Sequence, residues 1–144
     1  MRLVLDTNTV VSALLWRGAP HALLETIGAR RDLLLHSSPK LLAELADVLG
    51  REKFGAALAT SGKSPEQLFS RYASVVRIVR PESVPAVVLS DADDDHVLAC
   101  ALAAQADLIV SGDAHLLNLK TYHRIPIVSA TEALAQLPQA ETEG

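Results

Sequence analysis

Val4-Leu5-Asp6-Thr7-Asn8, near the start of the chain, and Ile109-Val110-Ser111-Gly112-Asp113, far along it, share one grammar. Each is a short apolar run that ends in small polar residues and a carboxylate. The runs, Arg2-Leu3-Val4-Leu5 and Asp107-Leu108-Ile109-Val110, are continuous rather than alternating, as in strands buried on both faces. Asp32-Leu33-Leu34-Leu35-His36 and Ile125 to Val128 read the same way, and β-branched Val75 to Val79 adds another strand. Helical spacings fill the gaps. Thr7 or Asn8 is expected to cap a helix through Leu15, and Pro20 opens a second over His21 to Arg30. Ser38-Pro39 opens a third, with Leu41, Leu42, Leu45, Val48 and Leu49 on one face. Ser64-Pro65 opens a fourth, with Leu68, Phe69, Tyr72 and Val76 at helical spacing. A helix capped near Asp94 runs to about Ala104, a short one covers His115 to Leu119, and Thr131 to Leu137 closes the chain. Strands alternating with helices predict an α/β fold with a parallel sheet covered on both faces. Ligands of such sheets bind beyond the carboxyl ends of the strands, at a topological switch point. Asp6 and Asp113 stand where that rule puts a site.

Composition narrows the class. At 144 residues one domain is expected, spanning 1–144 with 136–144 as a flexible C-terminal tail. With 49% hydrophobic and 21% charged residues, a disordered or fibrous chain is excluded. One cysteine, Cys100, excludes a disulfide framework and a multi-Cys zinc cluster. No secretory signal and no 18-residue apolar window appear, so a cytoplasmic protein without a membrane span is expected. The net charge of −4 argues against nucleic-acid binding through a basic surface. At 3% aromatic residues, a base-stacking platform is not expected either. A nucleic-acid role therefore requires a local site or a metal.

The carboxylates supply one. Asp6 and Asp113 both have a plain reading as helix caps, although Asn8 could cap the first helix and free Asp6. Glu44, with Lys40 one turn earlier, reads plainly as a solvated helix residue. It nevertheless lies beside the face marked by Leu41, Leu45 and Val48. Ser90-Asp91-Ala92-Asp93-Asp94-Asp95-His96 is the sharpest feature, with four carboxylates in five residues. A helix dipole favours acids at its N-terminus, but one or two would satisfy it. Asp95 is expected to start the helix and point toward the strand ends. Carboxylates gathered in a crevice without cations cannot all stay ionised cheaply. A hard divalent ion, Mg²⁺ or Mn²⁺, resolves the conflict and also accepts a substrate phosphate.

These residues carry a resemblance. Leu5-Asp6-Thr7-Asn8, Glu44, Asp94-Asp95-His96-Val97-Leu98-Ala99 and Ser111-Gly112-Asp113 together resemble the PIN-domain family of metal-dependent ribonucleases, in its bacterial toxin branch. The likeness runs from Val4 to about Ala133. It implies a three-layer α/β/α sandwich with a central parallel sheet of about five strands. It further implies RNA phosphodiester hydrolysis with Mg²⁺ or Mn²⁺ held by Asp6, Glu44, Asp95 and Asp113. Asn8 and Ser111 match the supporting polar positions, with Asp93 and Asp94 as reserve acids. The toxin branch implies a small antitoxin partner and a homodimer. Apolar side chains in the helices from His21 to Arg30 and from Pro39 to Leu49 exceed one sheet face's need, which also points to a helical dimer surface. His96 with Cys100 is too small a set for zinc, and neither His96 nor His115 is required by the chemistry.

Three alternatives stand beside this reading. A flavodoxin-like receiver or phosphoryl-transfer domain also binds Mg²⁺ at strand ends. Here, however, Arg80-Pro81 follows Val79 and no Lys follows Val128. A flap nuclease would need long insertions. A non-catalytic PIN-like binding module would keep the acids only as structure.

Overall fold

The computed structural model describes residues 1–82 and 92–139, with side chains of the second stretch described from Asp94 onward. Its strands are β1 (Arg2–Leu5), β2 (Leu34–Ser37), β3 (Val76–Ile78), β4 (Leu108–Val110), β5 (Thr121–Tyr122) and β6 (Ile125–Val128). They form one sheet in the order β3-β2-β1-β4-β6-β5. All described pairings are parallel except β5 with β6. The helices are α1 (Thr7–Leu15), α2 (Ala19–Ala29), α3 (Pro39–Leu49), α4 (Gly55–Ser61), α5 (Pro65–Ala73), α6 (Ala92–Ala104), α7 (Ala114–Leu119) and α8 (Ala130–Gln136).

Strand periodicity splits the core in two. In the parallel register Val4 lies opposite His36 on one side and Ile109 on the other. Side chains alternate across a strand, so Leu3, Leu5, Leu35, Leu108 and Val110 face one way. They pack there with Val10 and Val11 of α1, Leu23 and Ile27 of α2, Leu45 and Leu49 of α3, and Leu68 of α5. Val4, Ile109 and Ile127 face the other way, onto Val97, Leu98 and Ala101 of α6 and Leu116 of α7. The result is the expected three-layer α/β/α sandwich, with one strand more than the five anticipated.

Local signals hold the helices. Ser38 caps α3 by accepting from the Leu41 N–H at 3.3 Å. Ser64 caps α5 in a full capping box with Gln67, each side chain bonding the other residue's backbone N–H. Three expectations are corrected. Asp6, rather than Thr7 or Asn8, is the N-cap of α1, because its carboxylate is the group that reaches the Thr9 N–H. Helix α6 begins at Ala92 rather than at Asp94, which places Asp94 and Asp95 inside its first turns. The apolar surplus assigned to the second and third helices is packed within the chain. Among the described residues the exposed large hydrophobics are Trp16, Val75, Ile78, Leu102 and Leu119, none of them on α2 or α3. No described helix is long and apolar enough to cross a membrane.

Candidate active site

The strand order reverses direction between β1 and β4, and the two chain segments quoted first meet there. The Asp6 N–H donates to the Val110 carbonyl at 3.0 Å, and the Ser111 N–H to the Val128 carbonyl at 3.0 Å. Asp6, just past β1, and Ser111, just past β4, are thereby set side by side at the carboxyl edge of the sheet. The Asp6 carboxylate is only 4% exposed. Its Oδ1 accepts from the Thr9 N–H at 2.8 Å, and its Oδ2 accepts from the Ser111 hydroxyl at 2.5 Å. The Ser111 Oγ in turn accepts from the Asp113 N–H at 2.9 Å. Asp113 Oδ1 caps α7, accepting from the His115 N–H at 2.7 Å and the Leu116 N–H at 3.3 Å.

Asp6 and Asp113 are therefore both caps and neighbours within one network, with Ser111 bridging them. Capping engages one oxygen of each carboxylate with the backbone. It does not exhaust either group. Burial pushes the Asp6 carboxyl above its ordinary value of 3.8. The bonds from Ser111 and Thr9 oppose that shift, and the charge of Asp113 adds to it. A buried anion beside a second anion is the electrostatic situation a cation relieves.

The sign of the pH dependence follows. A carboxyl whose folded pKa is raised destabilises the fold once pH passes the unfolded value, and the penalty grows until the folded pKa is passed. In the metal-free protein, the difference in melting temperature between Asp6→Asn and wild type should be near zero at about pH 4 and widen toward pH 7. Thermal denaturation across that range in chelator measures it. A difference that is constant with pH would contradict the assignment.

The remaining expected residues are placed as follows. Asp94 and Asp95 are buried, at 6% and 7% exposure, at the start of α6, which packs on β1, β2 and α3. Glu44 lies half-buried on α3, one turn beyond Leu41 and one before Val48. Asn8 is exposed and lines, with Thr9, Ser111, Gly112 and Asp113, a cleft of about 620 Å³ that continues to Pro20 and Thr131. Asp91 and the side chain of Asp93 lie outside the described residues. Among the described residues no three His, Cys, Asp or Glu side chains stand close enough to hold a metal ion together. The structure thus joins Asp6, Ser111 and Asp113, and does not gather Glu44 and Asp95 with them into one ligand set. Mg²⁺ commonly takes one or two carboxylates and keeps several waters, so the hard-oxygen pair Asp6 and Asp113 fits such an ion by donor chemistry.

Sequence reading gave Ser111 a supporting role but not that of a bridge between Asp6 and Asp113, and placed Ser38 at the start of α3 without its bond to Cys100. Ser38 hydrogen-bonds the buried Cys100, whose thiol burial pushes up to about 12. Cys100 therefore remains a protonated packing residue, not a nucleophile or zinc ligand.

The fold and this site define a class. A family model for the PIN domain matches residues 2–115. The chain belongs to the PIN-domain family, whose members are generally nucleases. A chain of VapBC2 from Rickettsia felis, crystallised bound to a DNA fragment from their promoter, shares the fold at a TM-score of 0.61 and 15% identity. That match covers 88% of this chain and 97% of the other. PAE2754 from Pyrobaculum aerophilum matches at a TM-score of 0.57 and 14% identity, over 94% of this chain and 88% of the other. No curated protein sequence matches the chain significantly.

Proposed function

We propose that the protein is a Mg²⁺- or Mn²⁺-dependent endoribonuclease, the toxin component of a toxin–antitoxin pair, acting in the cytoplasm. The observation that carries the reading is the buried Asp6 carboxylate at the switch point, bonded to Ser111 and raised in pKa by burial and Asp113. Asp6, Glu44, Asp95 and Asp113 are assigned as the metal-holding and catalytic acids, with Asn8, Ser111, Asp93 and Asp94 in support. When bound, the ion would make water a better nucleophile and polarise the phosphoryl oxygen. The protein's own part is orientation. Ser111 holds Oδ2 of Asp6 and the backbone of Asp113 through one hydroxyl. The caps to Thr9 and His115 orient both carboxylates, with Asp113 lining the cleft and Asp6 buried behind Ser111.

The likeness of the fold to a chain of the VapBC2 complex supports a small antitoxin as partner. A homodimer belongs to the same proposal. Co-purification from the native operon should recover the small partner.

Cleavage of RNA should require Mg²⁺ or Mn²⁺, stop in excess EDTA and return when the ion is restored. Undiminished cleavage in EDTA would contradict the metal assignment. A non-catalytic PIN-like module is the second reading. RNA left intact at every metal concentration would select it.

A further inference from the structure

The chain's one tryptophan, Trp16, is 48% exposed at the carboxyl end of α1. It does not stand alone. Its ring centroid is 6.0 Å from that of Phe54, at an interplanar angle of 58°. Phe54 is itself packed against the core, which anchors the pair. Lys53 Nζ lies 5.0 Å from the centre of the Phe54 ring. Arg17 and Arg51 flank the two rings in sequence and are exposed. Arg51 bonds Asp47 at 3.2 Å, and Glu52 stands beside Lys53 in sequence. Along Trp16–Arg17 and Asp47–Phe54, three cations stand against two carboxylates, in a chain of net −4.

A single exposed apolar residue needs no special explanation. A tryptophan backed by an anchored ring and bordered by cations is a different surface. Bases stack on aromatic rings whatever their sequence, and cations track the phosphates. The low aromatic content excludes a broad platform, but two of the few rings meet here. Asp6 caps the other end of the nine-residue α1, so at 1.5 Å per residue the backbone of Trp16 lies about 15 Å along the helix axis from that of Asp6. A separation of that order is spanned by a few nucleotides of a single strand, fewer than the ~4–16 that one OB fold covers.

We propose that Trp16, supported by Phe54 and Lys53, is a docking surface for single-stranded RNA, stacking a base a few nucleotides from the scissile phosphate. This rests on the ribonuclease reading for its substrate, but it is tested by binding rather than cleavage. Because the tryptophan is single, its fluorescence reports this surface alone. In EDTA, an oligoribonucleotide of about 12 nucleotides should quench Trp16 saturably.

Anisotropy of the labelled RNA should show Trp16→Leu binding about 5- to 150-fold more weakly, the loss of one stacked base. Lys53→Gln, which leaves the tryptophan in place, should lower the slope of affinity against salt by about 0.7, the loss of one phosphate contact on a single strand. In the presence of metal, Trp16→Leu should raise KM and leave kcat unchanged. RNA bound equally by wild type and Trp16→Leu, with no fluorescence change, would overturn the docking surface and leave the ribonuclease reading intact. Quenching that follows protein concentration alone, or appears only with a co-purified protein, would assign the surface to that partner and overturn it too. RNA neither bound nor cut would overturn both readings.

Discussion

Asp6→Asn is expected to reduce RNA cleavage by ~100-fold or more while raising the melting temperature of the metal-free protein. Residues that merely orient metal ligands commonly cost 10–100-fold when replaced, so loss of a direct ligand should reach the top of that range or pass it. The stability change has the opposite sign because the fold tolerates the amide. An Asn Oδ1 can still accept from Thr9, as Asp6 does at 2.8 Å, and Asn caps a helix about as well as Asp. The amide NH₂ then faces the Ser111 oxygen, whose second lone pair accepts it beside the Asp113 N–H. What disappears is a buried charge next to Asp113. Single stabilising substitutions commonly contribute about 0.5–2 kcal/mol, and a gain on that scale is expected here. Thermal denaturation in EDTA and an RNA cleavage assay on the same preparations check both halves. A variant that melts lower and cleaves normally would make Asp6 a structural cap only.

Leu98→Ala should be the costliest core change near the site. Leu98 is fully buried on α6, in the cluster with Val4 and Ile109. Truncating a buried Leu to Ala costs roughly 2–5 kcal/mol, lost burial plus the cavity left behind. For a chain of this size that is a fall of roughly 7–16 °C in melting temperature. Leu98 also follows Asp94 and Asp95 by about one helical turn, so the cavity loosens the turn that holds them. Cleavage measured well below the melting point should therefore fall as well. A melting temperature within about 2 °C of wild type would mean that α6 is not the cover of this sheet face.

Much of this fold is written in short, strong local signals. The continuous runs at β1, β4 and β6 mark buried parallel strands, and Pro39 and Pro65 sit in the first turns their spacing announces. Where the signal was weak, the sequence was silent. Helix α4 contains no buried residue, so it has no apolar stripe to read. Strand β5 pairs with β6 through His123 and Arg124, which have φ of 46° and 67°. Such a two-residue turn normally announces itself with Asn-Gly, and here it does not.

The site was legible in part for a related reason. Asp6 and Asp113 follow strands, and strand ends are fixed by the sheet, so the switch-point rule places them without any side-chain detail. The choice between cap and ligand could not be made from sequence, because the same carboxylates serve the caps with one oxygen and face each other with their charge. Glu44 and Asp95 sit on helices. Their approach to the crevice depends on helix rotation and packing, which residue spacing does not specify.

The central claim is that the carboxylates beyond β1 and β4 hold a divalent cation. A crystal of the wild-type protein equilibrated with Mn²⁺, with data collected for the manganese anomalous signal, tests it directly. The predicted result is a peak bonded to Asp6 and Asp113, with Glu44 and Asp95 reaching it directly or through water, and no such peak in Asp6→Asn. A wild-type crystal in which these carboxylates carry no manganese, at ion concentrations that support cleavage, would contradict it.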